Sequence, residues 1–128
     1  MDHKKINEVS GCVVDAAMKV HTALGPGLLE SAYEACLVYE LRKRNRKAFS
    51  QVGLPVMYED VKLDVGYRID VLVDNMVIVE LKAIEKILPL HEAQLLSYLK
   101  LSGKKVGLLI NFNVKYLKQG IRRMVNNL

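Results

Sequence analysis

The stretch from Tyr67 to Ile84, YRIDVLVDNMVIVELKAI, carries three charged side chains among residues that are typical of a buried β-hairpin. Asp70 lies in its first half, and Glu80 and Lys82 lie two residues apart in its second half. Burial of two carboxylates and an ammonium group is unfavourable unless the charges are paired or compensated. The stretch therefore predicts either a charged functional site or, as the simpler alternative, an exposed Asp70 beside a surface ion pair between Glu80 and Lys82.

The register of this hairpin decides between the two alternatives. Glu80 and Lys82 share one face of their strand because side chains alternate with a period of two. A two-residue turn at Asp74 and Asn75 would point Asp70 and Glu80 to opposite faces. A three-residue turn, or one β-bulge, would pair Asp70 with Glu80, and bulges are common beside active sites. The functional interpretation therefore requires an irregular register between these two carboxylates.

Two predicted helices could bring further polar side chains to the same place. In the third helix, Gln94 and Tyr98 lie one turn apart on a polar face that also contains His91. Gln94 and Tyr98 could hydrogen-bond phosphate oxygens or orient a neighbouring lysine. Alternatively, this helix is simply amphipathic, with a half-buried tyrosine. Glu30 lies one turn before Tyr33 near the start of the second helix, where the helix dipole alone would also favour an acidic residue.

Three helices are predicted from the spacing of apolar residues and from glycine and proline signals. The first spans about residues 5–23 and ends at Gly25-Pro26-Gly27, and the second spans about residues 28–44. Pro89 opens the third helix, and Gly103 closes it at the C′ position.

The strands are predicted from apolar runs bounded by turn residues. They are hairpin strands at 66–73 and 76–83, a central strand at KVGLLINF, an extended segment at 48–58 in which Pro55 marks an edge or a bend, a short strand or turn at VKLDVG, and a helix or edge strand at 114–128. This order predicts an α/β sandwich around a mixed sheet, formed by residues 1–128 as one domain.

The composition is that of a globular chain with a moderate basic bias. Hydrophobic residues make up 51% of the chain, and 19 Lys and Arg outnumber 14 Asp and Glu to give a net charge of +5. No apolar run reaches the roughly 18 residues of a membrane span, and the first residues lack the apolar region of a signal peptide. We therefore expect a cytoplasmic protein with no membrane contact. Cys12 and Cys36 are too few and too isolated for a zinc site or a disulfide framework, and they are predicted to be buried thiols.

The densest group of positive charges lies at the end of the second helix, within LRKRNRK, and consists of Arg42, Lys43, Arg44 and Arg46. Cations at this position suit the C-terminal end of a helix dipole, so one interpretation is a solvated helix end. The other interpretation is contact with the phosphates of a polyanion, which the net positive charge also favours.

Three motifs follow one another along the chain: GLLESAY at residues 27–33, then RIDVLVDNMVIVELKAI, then HEAQLLSYLKLSGKKVGLLINF. Together they resemble the GxxExxY group of small bacterial and archaeal proteins, which belongs to the PD-(D/E)xK nuclease superfamily. The spacing of Gln94 and Tyr98 is similar to that of RecB-type nucleases. Ile69 stands where the superfamily motif has its proline, a departure that removes no ligand. The resemblance implies a restriction-endonuclease-like fold, with a mixed central sheet flanked by helices.

The resemblance also implies a metal site. Glu30, Asp70 and Glu80 would supply carboxylates to Mg²⁺, with the carbonyl of Leu81 as a further ligand. Mg²⁺ is a hard ion that prefers oxygen ligands and accepts substrate phosphate, and Mn²⁺ could take its place. A divalent cation and Lys82 would then compensate the two acids of the buried hairpin.

Catalytic roles follow from the same resemblance. Lys82 would orient or activate the attacking water and stabilise the charge that develops on the phosphate, beside Asp70 and Glu80. Gln94 and Tyr98 would support the phosphate or Lys82.

These roles predict a Mg²⁺-dependent nuclease that acts on DNA. The alternative is a nucleic-acid-binding or partner-binding module on a retained nuclease fold, without turnover. The complete set of two acids and a lysine favours the enzyme. The chain is small and contains no Trp to stack on bases, and a homodimer could supply the missing surface.

Overall fold

The structure is a computed structural model that describes residues 3–128, so Met1 and Asp2 lie outside the described residues. The helices are α1 (His3–Leu24), α2 (Glu30–Lys43) and α3 (Pro89–Ser102), with a short 3₁₀-helix at Leu117–Gly120. The strands are β1 (Ala48–Gly53), β2 (Val56–Tyr58), β3 (Val61–Leu63), β4 (Arg68–Val73), β5 (Val77–Lys82), β6 (Val106–Asn111) and β7 (Ile121–Val125).

A five-stranded sheet in the order β1-β4-β5-β6-β7 forms the centre of the molecule. Strands β5 and β6 are parallel, and the other neighbouring pairs are antiparallel. Residues of α1 and α2 pack with Val71, Val79 and Leu108 in one core, whereas α3 packs with Ile78 and Leu109 in a second core on the other face. This arrangement confirms the predicted α/β sandwich with a mixed sheet, and it is consistent with a restriction-endonuclease-like fold.

The three helices lie where glycine, proline and apolar spacing predict them, within about two residues at each end. The apolar residues of α1 recur at helical spacing and are buried: Ile6, Val9, Val13, Ala16, Ala17 and Val20. Pro89 begins α3, and Gly103 caps its end in the left-handed region, with φ 74° and its N–H donating to the carbonyl of Leu99 at 2.9 Å. None of the helices within residues 3–128 is long and apolar enough to cross a membrane.

The strands resolve the alternatives that the sequence leaves open. Strand β6 is buried along its whole length between β5 and β7, as a continuous apolar run predicts. The tail is an edge strand, β7, rather than a helix. VKLDVG contains β3, which pairs only with β2 in a separate two-stranded hairpin. Cys12 and Cys36 are half-buried beside the core instead of buried as predicted.

The hairpin of β4 and β5 turns through three residues, because Val73 pairs with Val77. Asp74 has a positive φ of 52°, and non-local contacts hold it in place. Its backbone N–H donates to the carbonyl of Lys47 at 2.8 Å, and its carboxylate accepts from the backbone N–H of Lys47 at 2.8 Å and from Arg46 at 3.0 Å. This is one of the two irregular registers that would bring Asp70 and Glu80 together.

Candidate active site

Asp70 and Glu80 meet where the backbone ladder of β4 and β5 stops. The ladder has its last pair at Val71 and Val79. Beyond it, the backbone N–H of Asp70 donates to the Glu80 carboxylate at 2.8 Å, and the backbone N–H of Leu81 donates to the Asp70 carboxylate at 2.9 Å. The two carboxylates thus replace backbone carbonyls as acceptors, which places both acids at the open end of the hairpin.

The alternation of faces along β4 breaks at Asp70. Ile69 packs with α3, whereas Val71 packs with α1 and α2, although residues two apart in a regular strand share a face. Gln51, which lies opposite Asp70 in the register between β1 and β4, has a φ of 54°. A left-handed conformation costs a residue with a Cβ on the order of 1 kcal/mol or more. Strained residues of this kind often mark functional sites.

Glu80 is a buried acid in an unfavourable electrostatic environment. Its residue is only 5% exposed. Burial, together with the charge of Asp70, raises the pKa of Glu80 to about 8, and the hydrogen bond from the backbone of Asp70 and the charge of Lys82 offset only part of this rise. Ionisation of Glu80 is therefore less favourable than that of a solvated glutamate.

Lys82 and Leu81 occupy the end of β5. Lys82 is half-buried, and its carbonyl accepts a hydrogen bond from the backbone N–H of Phe112 at 2.9 Å. Asn111, which pairs with Lys82 in the parallel ladder, uses its side chain to accept from the N–H of Ile84 at 3.1 Å and to donate to the carbonyl of Ile84 at 2.9 Å. These bonds fix the direction in which the chain leaves β5, and hence the position of Lys82.

The start of α2 approaches the two hairpin acids. Glu30 is the first residue of this helix and is exposed. Tyr33 anchors the loop before it, because the buried Tyr33 hydroxyl donates to the carbonyl of Gly25 at 2.6 Å and accepts from the N–H of Leu28 at 3.1 Å. The Tyr33 ring stacks on Phe112, with ring centroids 4.5 Å apart. The tyrosine of the GLLESAY motif thus positions Glu30 relative to the end of β6.

Two residues of the site are absent from the sequence-based prediction. Glu34 lies one turn after Glu30 and accepts a hydrogen bond from the Gln51 amide at 2.9 Å, and the same amide lies 3.5 Å from the Asp70 carboxylate. Burial raises the pKa of Glu34, as do the charges of Asp70 and Glu30, against the lowering effect of Gln51. Glu34 could have been predicted as a site residue, because it lies one helical turn after Glu30. Gln51 could not, because no sequence pattern indicates its left-handed backbone.

Gln94 and Tyr98 lie on the α3 side of the site. The Gln94 amide is 3.5 Å from the Tyr98 hydroxyl. Tyr98 is buried and contacts Tyr67 at a centroid distance of 5.8 Å. Burial raises the pKa of Tyr98, and the charge of Glu80 adds to the rise. The phenol therefore keeps its proton and can act as a hydrogen-bond donor near Glu80.

The basic cluster at the end of α2 lies near the turn of the hairpin. Three of its members have intramolecular partners: the Arg42 guanidinium donates to the carbonyl of Ala48 at 3.0 Å, Arg44 to Glu40 at 3.4 Å and Arg46 to Asp74 at 3.0 Å. Asp74 lies four residues along β4 from Asp70, which corresponds to about 13 Å of extended chain. These contacts favour the interpretation that the three arginines belong to a helix end over the interpretation that they contact phosphate. Lys43 is exposed, and its contact with phosphate stays a prediction.

The carboxylate oxygens of the site are ligands of the kind that Mg²⁺ prefers, but they do not converge as they would around a bound ion. The oxygen atoms of Asp70 and Glu80 are hard ligands, and a cation would stabilise the ionised form of Glu80 that burial and the charge of Asp70 disfavour. Within residues 3–128, however, no three His, Cys, Asp or Glu side chains converge closely enough to hold a metal ion. The carboxylates of Asp70 and Glu80 instead accept backbone hydrogen bonds.

Comparison with known proteins identifies the family. A family model described as the PD-(D/E)XK nuclease superfamily matches residues 7–124, which is nearly the whole chain. Searches of curated proteins and of solved structures gave no significant match. The matched range contains both hairpin acids, the lysine, all of α2 and α3 and most of α1. The chain belongs to the PD-(D/E)XK nuclease superfamily.

Proposed function

We propose that this protein is a Mg²⁺-dependent nuclease that hydrolyses phosphodiester bonds in DNA. One observation carries the proposal: Asp70 and Glu80 meet at the open end of the hairpin, with Glu80 buried and its pKa raised to about 8. A carboxylate pair of this kind destabilises the empty site, and a cation would stabilise it. Membership of a nuclease superfamily supports the same reaction.

The metal ligands in this proposal are Glu30, Asp70, Glu80 and the carbonyl of Leu81. Mg²⁺ would supply positive charge that neutralises the phosphate and acidifies water, and Mn²⁺ could substitute for it. Displacement of the proton from Glu80 would leave its carboxylate charged and able to bind the cation. The two hydrogen bonds that Asp70 and Glu80 accept from backbone N–H groups hold the carboxylates at the mouth of the hairpin.

The remaining side chains act on the substrate. Lys82, at the end of β5, orients the attacking water and places positive charge beside the reacting phosphate, where charge develops in the transition state. Tyr98 donates a hydrogen bond to the phosphate or to the water, and Gln94 orients the Tyr98 hydroxyl. Gln51 holds Glu34 and Asp70 in position through its amide.

The finer assignment is part of the same proposal. The GLLESAY motif and the anchoring role of Tyr33 support membership of the GxxExxY group. A cytoplasmic location is consistent with the sequence, and a homodimer would enlarge the surface that contacts DNA.

A second function is favoured by one observation. Because no three metal-ligating side chains converge in the described part of the chain, the site could serve a nucleic-acid-binding or partner-binding module that does not turn over. Such a protein would bind DNA equally well with and without divalent metal, and it would leave all substrates intact.

The test is a cleavage panel of linear, circular, single-stranded and branched DNA with matching RNA, in Mg²⁺, in Mn²⁺ and in EDTA. Wild type is compared with Lys82→Ala and with Lys100→Ala, which removes an exposed lysine on α3. The proposal predicts metal-dependent cleavage of DNA by wild type and by Lys100→Ala. Absence of cleavage on every substrate, with DNA binding retained, would support the module that does not turn over.

A further inference from the structure

A cleft of about 650 Å³ opens between the end of α1 and the segment that joins β6 to β7. Its walls carry Lys115, Tyr116 and Lys118 on one side and His21, Thr22 and Pro26 on the other. We call this surface the Lys115–Lys118 cleft. The residues that line it, as far as the chain is described, include no Asp or Glu. It therefore contrasts with the acidic hairpin and suits an anionic ligand.

Side chains of the cleft can bind both phosphate and a flat ring. Tyr116 is 59% exposed, with the Lys115 ammonium 5.4 Å from its ring centroid. Within residues 3–128, neither Lys115 nor Lys118 forms an ion pair with a carboxylate. An exposed aromatic ring between lysines is a surface on which single-stranded nucleic acid binds, since bases stack on the ring and phosphates meet the cations.

The cleft is held rigidly in place. The ring of His21, which is buried, donates from Nε2 to the carbonyl of Val114 at 2.7 Å and ties the β6–β7 segment to α1. At the other end of this segment, a Cβ on Gly120 would collide with the carbonyl of Asn111, so only glycine allows this close approach. The lysines and the tyrosine therefore project from a fixed backbone, which lowers the entropy cost of binding a ligand.

The segment that forms one wall of the cleft begins beside the end of β5. Phe112 donates its backbone N–H to the carbonyl of Lys82. Lys115 follows three residues later, which places its backbone within about 11 Å of Phe112. Pro26 on the opposite wall lies four residues before Glu30. Because β5 and β6 are parallel, Lys82 and the cleft segment lie at the same end of the sheet.

We propose that the Lys115–Lys118 cleft binds a single-stranded segment of the nucleic acid. Lys115 and Lys118 contact its phosphates, and Tyr116 stacks on an unpaired base. This inference rests on the proposed nuclease function and adds a preference to it: substrates with a single-stranded stretch bind more tightly than fully paired duplexes.

Binding of a fluorescein-labelled single-stranded oligodeoxynucleotide and of its duplex tests the inference, in EDTA and over a range of salt concentrations. Lys115→Gln with Lys118→Gln should lower the log–log salt slope for the single strand by about 1.4, or about 0.7 for each lost phosphate contact. Tyr116→Leu should raise the dissociation constant for the single strand about tenfold, with little change in the duplex.

The matched control is Lys4→Gln with Lys100→Gln, which removes the same charge at exposed positions. Lys4 lies about 25 Å from His21 along α1, and Lys100 lies on α3 across the sheet. The control should keep the wild-type slope. If the cleft variants match the control while wild type still cleaves DNA, the cleft assignment falls and the nuclease function stands. If wild type neither binds nor cleaves any nucleic acid, both fall.

Discussion

Two glutamates of this protein have similarly small exposed fractions, but their pKa values are shifted in opposite directions. Glu40 in α2 is 7% exposed, and Glu80 in β5 is 5% exposed. Glu40 meets Lys19 at 3.1 Å and Arg44 at 3.4 Å, and the hydrogen bond from Lys19 is the main reason that its pKa is lowered. Glu80 instead lies beside Asp70, and its pKa is raised.

The difference shows which acid serves the fold. Neighbouring cations stabilise the ionised form of a buried carboxylate. Burial and a neighbouring carboxylate destabilise that form. A protein under selection for stability alone would replace Glu80 by an apolar residue of similar size. The presence of Glu80, Asp70 and the strained Gln51 at one end of a well-packed sheet supports our proposal that this site binds a ligand.

The largest expected effect comes from Lys82→Ala. Loss of the ammonium should lower cleavage at least about 100-fold, because its charge is needed in the transition state. DNA binding and the melting temperature should stay close to wild type, since phosphate affinity comes from several other cations. Single-turnover cleavage assays beside a filter-binding measurement separate the two effects. Cleavage by Lys82→Ala at the wild-type rate would point to a contaminant or to another site.

Glu80→Gln should change how stability depends on pH. The folded pKa of Glu80, about 8, lies above its ordinary value of 4.5. Its contribution to stability is therefore complete below about pH 4.5 and is lost as the pH rises towards 8, with a slope approaching about 1.4 kcal/mol per pH unit. Glu80→Gln should remove this slope and be at least as stable as wild type at pH 8 without metal.

Urea unfolding of both proteins between pH 5 and 8 measures this effect. Parallel curves for wild type and Glu80→Gln would show that Glu80 is ionised at neutral pH and is not strained.

Glu40→Gln should behave in the opposite sense. The folded pKa of Glu40 is lowered, so its contribution is present above the ordinary pKa and is lost as the pH falls through the folded value. The substitution should lower the melting temperature by a few °C at pH 7, where Lys19 and Arg44 lose their partner. It should leave cleavage unchanged. Reduced cleavage by a folded Glu40→Gln protein would contradict this division between a structural acid and a functional acid.

The smallest effect concerns the basic cluster. Lys43→Gln should lower the log–log salt slope of duplex binding by about 0.9 and leave the melting temperature unchanged, because Lys43 is exposed. Arg44→Gln should also lower stability, through the lost contact with Glu40. An unchanged slope for Lys43→Gln would mean that the cluster is only a solvated helix end.

Much of the fold was predictable from local signals. The site was predictable only as one of two alternatives, a charged functional site or an exposed Asp70 beside a surface ion pair. Pro89, Gly103 and the apolar run of β6 each act locally, so their structural consequences follow from sequence. The hairpin register does not, because Lys47 and Arg46, which are remote in sequence, hold Asp74 in the three-residue turn. The strand bounds predicted from the sequence, 66–73 and 76–83, correspond to the two-residue turn and were wrong, because Met76 lies in the turn and Val73 pairs with Val77.

The metal assignment is tested by thermal melts of wild type, Glu80→Gln, Asp70→Asn and Glu40→Gln, with and without saturating Mg²⁺ or Mn²⁺. At 100 times its dissociation constant a metal adds about 2.7 kcal/mol to the native state, which for a chain of this size is a shift on the order of 10 °C. We predict that shift for wild type and for Glu40→Gln, and little or none for Glu80→Gln and Asp70→Asn. The assignment is contradicted if metal shifts none of the four proteins, or if it shifts Glu80→Gln as much as wild type.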